Sequence, residues 1–158
     1  MKVVSDTTPI LSLSSIHKLD ILRLLFNQLY IPRAVHQEMK TKKLSAYREI
    51  DADWFKVIDI KGTDYLGFLL NDLDAGEAEA IVLAREIKAD ILLIDERIGY
   101  DIAKSQNIFA TGTLAVLLMA KQKGIIQKVK PLLDEMIQKG RWYSDKTRES
   151  FLKRIGEL

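Results

Sequence analysis

Five short apolar runs, each followed by a helical pattern, constrain this chain more than any other feature. They span residues 2–5, 29–31, 55–60, 91–95 and 108–110. Each is too short for a helix and rich in Val, Ile and Leu, which reads as a strand. Near-continuous apolarity, rather than alternation, implies burial on both faces and hence a parallel sheet. Helical patterns fill the gaps, at 9–14, 16–26, 32–40, 45–53, 76–88, 99–105, 113–123, 127–139 and 144–155. Thr8 reads as a cap with Pro9 opening the first helix, and Thr113 caps the helix that follows the fifth strand. Right-handed crossovers then predict an α/β fold: a three-layer α/β/α sandwich around a mostly parallel sheet of about five strands. With 158 residues, 47% of them hydrophobic, one domain over 1–158 is expected, its C-terminal helices beginning near residue 127.

The strand ends raise a chemical question. In "VVSDTTPIL" the first strand stops on Asp6, and in "LLIDERIGYDIA" the fourth stops on Asp95. Strand C-termini of a parallel sheet line one edge, outside which ligands bind. An isolated Asp there often only caps a turn; two at neighbouring strand ends leave turn capping and chemistry evenly balanced. "DLDAGEAEAIVLA" adds Glu77, in the first turn of a helix whose N-terminus meets the same edge. Glu77 shares a stripe with Ala80, Ile81, Ala84 and Ile87, the face expected on the sheet, while Glu79 points roughly opposite. Asp74 is the expected N-cap, paired with Glu77 as in a capping box, and ranks below it as a ligand. Glu38, in "IPRAVHQEMKTKK", is the fourth candidate; alone it is an ordinary helix glutamate. His36 and His17 read as solvated residues with no ligand spacing between them.

Carboxylates sharing a site raise one another's pKa and oppose folding unless a cation compensates. Cysteine is absent, which removes disulfides and thiolate sites. Oxygen donors without His or Cys favour Mg²⁺ or Mn²⁺ over zinc. The matching chemistry is metal-assisted phosphodiester hydrolysis. A net charge of only +2 gives no bulk argument for nucleic acid. "MKTKK" with Arg33 is a local basic patch beside Glu38, open to phosphate contact or simple solvation. No apolar run is long enough to cross a membrane and the N-terminus lacks a signal pattern, so a cytoplasmic protein is expected.

The stretches "VVSDTTPILSLSSI", "IPRAVHQEM", "LDAGEAEAIVLA", "LLIDERIGYDIA" and "GTLAVLLMAKQKGII" together resemble the PIN-domain nucleases, in particular the small prokaryotic DUF3368-type subgroup. The resemblance implies a catalytic and metal-binding quartet of Asp6, Glu38, Glu77 and Asp95, loaded with Mg²⁺ or Mn²⁺. It implies an endoribonuclease, the toxin of a toxin–antitoxin pair with a small antitoxin as partner, and a homodimer. Thr113 looks like the family's hydroxyl that orients water or a phosphate. Many relatives carry Asp where Glu77 stands, and the longer arm shifts a metal position. Arg97 is a weak candidate for countering the acids. Trp142 and Tyr143, beside Arg141, read as packing of a terminal helix or an interface, with base stacking as the other reading. A receiver domain would need an acidic pair after the first strand, a haloacid-dehalogenase phosphatase a DxD, and a nucleotide-binding fold a Gly-rich loop; none is present. The remaining alternative is a PIN-like RNA- or protein-binding module with little or no activity.

Overall fold

A computed structural model describes all residues, 1–158. Five strands form one all-parallel sheet: β1 (Val3–Ser5), β2 (Leu29–Pro32), β3 (Phe55–Ile58), β4 (Ile91–Leu93) and β5 (Ala110–Thr111), in the order β3-β2-β1-β4-β5. Nine helices cover it: α1 (Thr7–Ser15), α2 (Asp20–Phe26), α3 (Arg33–Thr41), α4 (Thr63–Leu69), α5 (Ala75–Glu86), α6 (Arg97–Ser105), α7 (Thr113–Gln122), α8 (Lys130–Gln138) and α9 (Asp145–Arg154). The result is a three-layer α/β/α sandwich.

Side-chain alternation along the strands divides the core in two. Val3, Leu29, Ile31 and Leu93 face one cluster, closed by α1, α2, α3, α7, α8 and α9. Val4, Tyr30 and Leu92 face a second, closed by α4, α5 and α6. Both faces of the central strands are therefore dry, as their unbroken apolarity requires.

The strand order reverses between β1 and β4. The chain leaves β1 toward β2 on one side and reaches β4 on the other, with Ser5 in register with Leu93. Such a switch point opens a crevice at the strand C-termini. Asp6 and Asp95 flank it, and the Asp6 amide donates to the Leu93 carbonyl at 2.9 Å.

Several local expectations shift. The first helix starts at Thr7 with Asp6 in the N-cap position, so Pro9 is its third residue rather than its first. The first four helical N–H groups have no internal partner, so Pro costs nothing there. The N-cap of α7 is Gly112, and Thr113 is the first helical residue. Residues 45–53 hold only the single turn Glu49–Asp51. Helix α4 was not legible: Gly67 and scattered apolar residues hide its periodicity. It packs on α5 and buries Val82, so α5 is buried almost all round rather than on one stripe. Glu79, expected to point away, accepts from the Ala34 amide at 3.1 Å and ties α5 to the start of α3.

Candidate active site

Asp6 is the hub. Its side chain makes no capping bond despite its N-cap position, so turn capping does not explain it. The residue is only 4% exposed, and no cation contacts its carboxyl. Burial raises its pKa from 3.8 to about 7, the Thr7 amide opposes the shift, and the charges of Asp74, Glu38 and Asp95 add to it. All three are thus close enough for their charges to act on it.

Glu38 reaches the site from the second turn of α3. Its Oε2 accepts from the Thr7 hydroxyl at 3.1 Å, and Lys42 stands 3.6 Å from Oε1. Gly76, in the first turn of α5, separates Glu38 from Asp6. A Cβ at Gly76 would meet Asp6 Oδ1 at 3.3 Å and Glu38 Oε2 at 3.4 Å. The bare backbone lets both carboxylates approach one point. A groove of about 370 Å³ opens there, lined by Gln37, Glu38, Lys42, Asp74 and Gly76 among others.

Glu77 and Asp74 form the α5 end of the site. Asp74 caps the helix by accepting from the Glu77 amide at 2.8 Å. Glu77 is half-buried, and its pKa is raised to about 8 by burial first, then by a hydrogen bond with Asp74 and the charges of Asp74, Asp6 and Glu96. Asp74 therefore belongs to the acidic constellation as well as to the cap. The spacing that marked it as an N-cap obscured this second part.

Asp95 is held from the opposite side. Thr113 donates its amide to Oδ1 at 2.8 Å and its hydroxyl to Oδ2 at 2.6 Å. Thr113 is fully buried, so its hydroxyl serves the carboxylate. A Cβ at Gly112 would collide with Asp95 Oδ1, which explains glycine before Thr113. Asp95 thus caps α7, the helix after β5, while Glu96 caps α6 by accepting from Gly99 at 2.7 Å. Arg141 Nη2 lies 3.5 Å from Asp95 Oδ2. Arg141 comes from the segment between α8 and α9, and nothing in the local sequence signals its arrival here.

The remaining charged candidates lie elsewhere. Arg97 is exposed and pairs with Asp101 one turn on, so it does not counter the acids. His36 and Lys40 share Asp51, and Arg33 pairs with Asp59. The basic patch beside Glu38 is therefore largely neutralised, with Lys42 nearest the groove.

The structure thus gathers Asp6, Glu38, Asp74, Glu77 and Asp95 at one sheet edge. A family model of DUF3368 type, described as a PIN domain, matches residues 2–157. The chain belongs to this PIN-domain family. No match was found among curated proteins. PIN domains are generally nucleases that use divalent metals, which makes this chain a member of a nucleic-acid hydrolase family.

The donors suit such an ion. All are oxygen, two have pKa values raised by burial and by neighbouring carboxylates, and Gly76 lets Asp6 and Glu38 approach one point. No three acidic or histidine side chains are grouped tightly enough to cage an ion outright. An ion that keeps several of its own waters needs only one or two direct carboxylate contacts.

Proposed function

We propose that this protein is a Mg²⁺- or Mn²⁺-dependent endoribonuclease, one PIN domain over 1–158, acting as the toxin of a toxin–antitoxin pair. The observation that carries the hydrolytic reading is Asp6: a buried carboxylate without a capping bond or an ion pair, on which the charges of Asp74, Glu38 and Asp95 act, its Thr7 amide contact too weak to offset its burial.

Asp6, Glu38, Glu77 and Asp95 are the residues that would hold the metal. Bound there, a divalent ion would supply Lewis-acid stabilisation of charge on the phosphate and lower the pKa of attacking water. The chain's own groups do the rest. Thr113 fixes Asp95 through both carboxylate oxygens and so sets one wall of the site. Thr7 orients Glu38. Asp74 accepts from the Glu77 amide and so fixes the end of α5 that carries Glu77. In the reaction the attacking water gives up a proton to solvent as its oxygen bonds to phosphorus, the bond to the leaving nucleotide oxygen breaks, and that oxygen takes up a proton from solvent.

Purified protein incubated with single-stranded RNA tests the reading, with Mn²⁺, Mg²⁺ or EDTA. Cleavage with either metal that EDTA abolishes, and that Asp6→Asn and Asp95→Asn lose, is expected. Wild-type-like cleavage by both variants would remove the quartet from the chemistry. The second reading is a weakly active or inactive PIN-like RNA- or protein-binding module; metal-independent RNA binding without cleavage would establish it. Self-association and an antitoxin covering the acidic cleft complete the proposal, within the cytoplasm. A clean monomer by light scattering at high micromolar concentration would remove the dimer.

A further inference from the structure

Arg141 lies on the irregular stretch between α8 and α9, its amide tied to the Met136 carbonyl at 3.0 Å. Its guanidinium stands over the Tyr143 ring, 5.0 Å from the centroid. Two polar atoms of this pair, Arg141 Nε and the Tyr143 hydroxyl, are buried without a hydrogen-bond partner. An unmade bond to a buried charged group is costly and calls for a reason.

Holding the fold together is a poor reason. Where this chain uses an arginine to tie elements together, the geometry is different: Arg148 grips Asp134 with two bonds, 2.7 and 3.0 Å long. Arg141 meets Asp95 only through a 3.5 Å ion pair and makes no side-chain hydrogen bond to it. Asp95 does not need Arg141 to be positioned, since Thr113 already engages both of its oxygens. What remains is a guanidinium whose Nε is buried, braced by an aromatic ring, with 26% of its side chain open to solvent at an acidic sheet edge; that open part is what a ligand can reach.

That edge repels a polyanion unless something offsets it. On the α3 side Arg33 and Lys40 are paired with Asp59 and Asp51 and Lys42 stands by Glu38, which leaves Lys43 as the exposed cation without an ion pair. An arginine fork matches phosphate oxygens in a way a lysine does not.

We propose that Arg141, braced on Tyr143, binds a backbone phosphate of the single-stranded RNA substrate beside Asp95. The inference rests on the ribonuclease reading for its substrate class, but its test does not depend on cleavage. In the Asp6→Asn background, binding of a fluorescein-labelled single-stranded RNA is followed by anisotropy in EDTA and in Mn²⁺ over a series of salt concentrations. Arg141→Ala should weaken binding by about 5- to 30-fold and lower the salt slope by about 1, the signature of one lost phosphate contact. Arg141→Lys should restore the slope but only part of the affinity. A packing role would leave the slope unmoved and give the lysine variant no advantage over alanine. Urea melts establish that each variant folds, and if the alanine variant does not, Arg141→Gln and Arg141→Lys carry the same comparison. Equal affinity and slope in all variants, or no RNA binding by the parent protein, overturns the proposal. Arg141-dependent binding without cleavage by the wild-type chain would sink the nuclease reading alone; cleavage with binding indifferent to Arg141 would sink this one alone.

Discussion

Asp6→Asn should stabilise the metal-free protein, and the size of the effect follows from the site. The Asp6 carboxyl has a folded pKa of about 7 against an ordinary 3.8. Its folded value is the higher one, so the native state binds more protons than the unfolded chain between these limits. Stability contributed by this group is complete below about pH 4 and is lost as pH rises through about 7, the reverse of the common salt-bridged carboxylate. The gap of about 3 amounts to roughly 4 kcal/mol at pH 8. Of this, ~2–3 kcal/mol should be lost between pH 5 and pH 8. Asparagine is nearly the same shape and never ionises. In EDTA, then, the variant should be more stable than wild type by roughly 2–4 kcal/mol at pH 8, by less at pH 5 and by almost nothing at pH 4. Urea melts at the three pH values measure this directly. A variant no more stable than wild type at pH 8 would show that Asp6 is already compensated and needs no cation.

The remaining predictions bear on the same edge and on its support. Saturating Mn²⁺ should raise stability by about 2.7 kcal/mol at ~100 times the dissociation constant, and more at pH 8 than at pH 5, because the ion competes with protons for Asp6 and Glu77; an unmoved melting temperature would remove the metal site. Gly112→Ala drives a methyl group into Asp95 Oδ1, so it should displace that carboxylate and cut nuclease activity at least 10-fold while circular dichroism stays native; full activity would show that Asp95 need not sit where Thr113 holds it. Glu157 is expected to behave in the opposite sense to Asp6. Burial works against its charge, but Lys121 and the Val129 and Lys130 amides hold its pKa below the ordinary 4.5. Its contribution is therefore present above that value and lost as pH falls, and Glu157→Gln should cost about 1–3 kcal/mol at pH 7, with a urea midpoint equal to wild type counting against it.

Much of this protein was legible along the chain. Short apolar runs bury their backbone as strands of a sheet, so five strands and most of their covering helices followed from local pattern, the fifth displaced from 108–110 to Ala110–Thr111 and the third ending at Ile58 rather than 60. Asp6 and Asp95 could be placed because a parallel sheet puts every strand's C-terminus on one edge. Glu77 followed because the helix before β4 must run back toward that edge. Helix α4 escaped because its apolar residues are too few and too scattered around Gly67 to show a period, and it forms by packing on α5.

What tertiary structure alone decided is which neighbours each acid has, since that depends on the packing of segments distant in sequence. Asp74 read as a cap because its hydrogen bond to Glu77 is local; its charge on Asp6 depends on how α5 meets β1. Gly76 and Gly112 look like any helix-start glycines until two carboxylates are found pressed against them. Thr113 became the anchor of Asp95 only when β4 and β5 paired side by side. Arg141, carried in by the segment between two C-terminal helices, has no short-range pattern that foretells its place beside Asp95. Periodicity reports which face of an element is apolar, whereas the distance between two charges belongs to the folded chain.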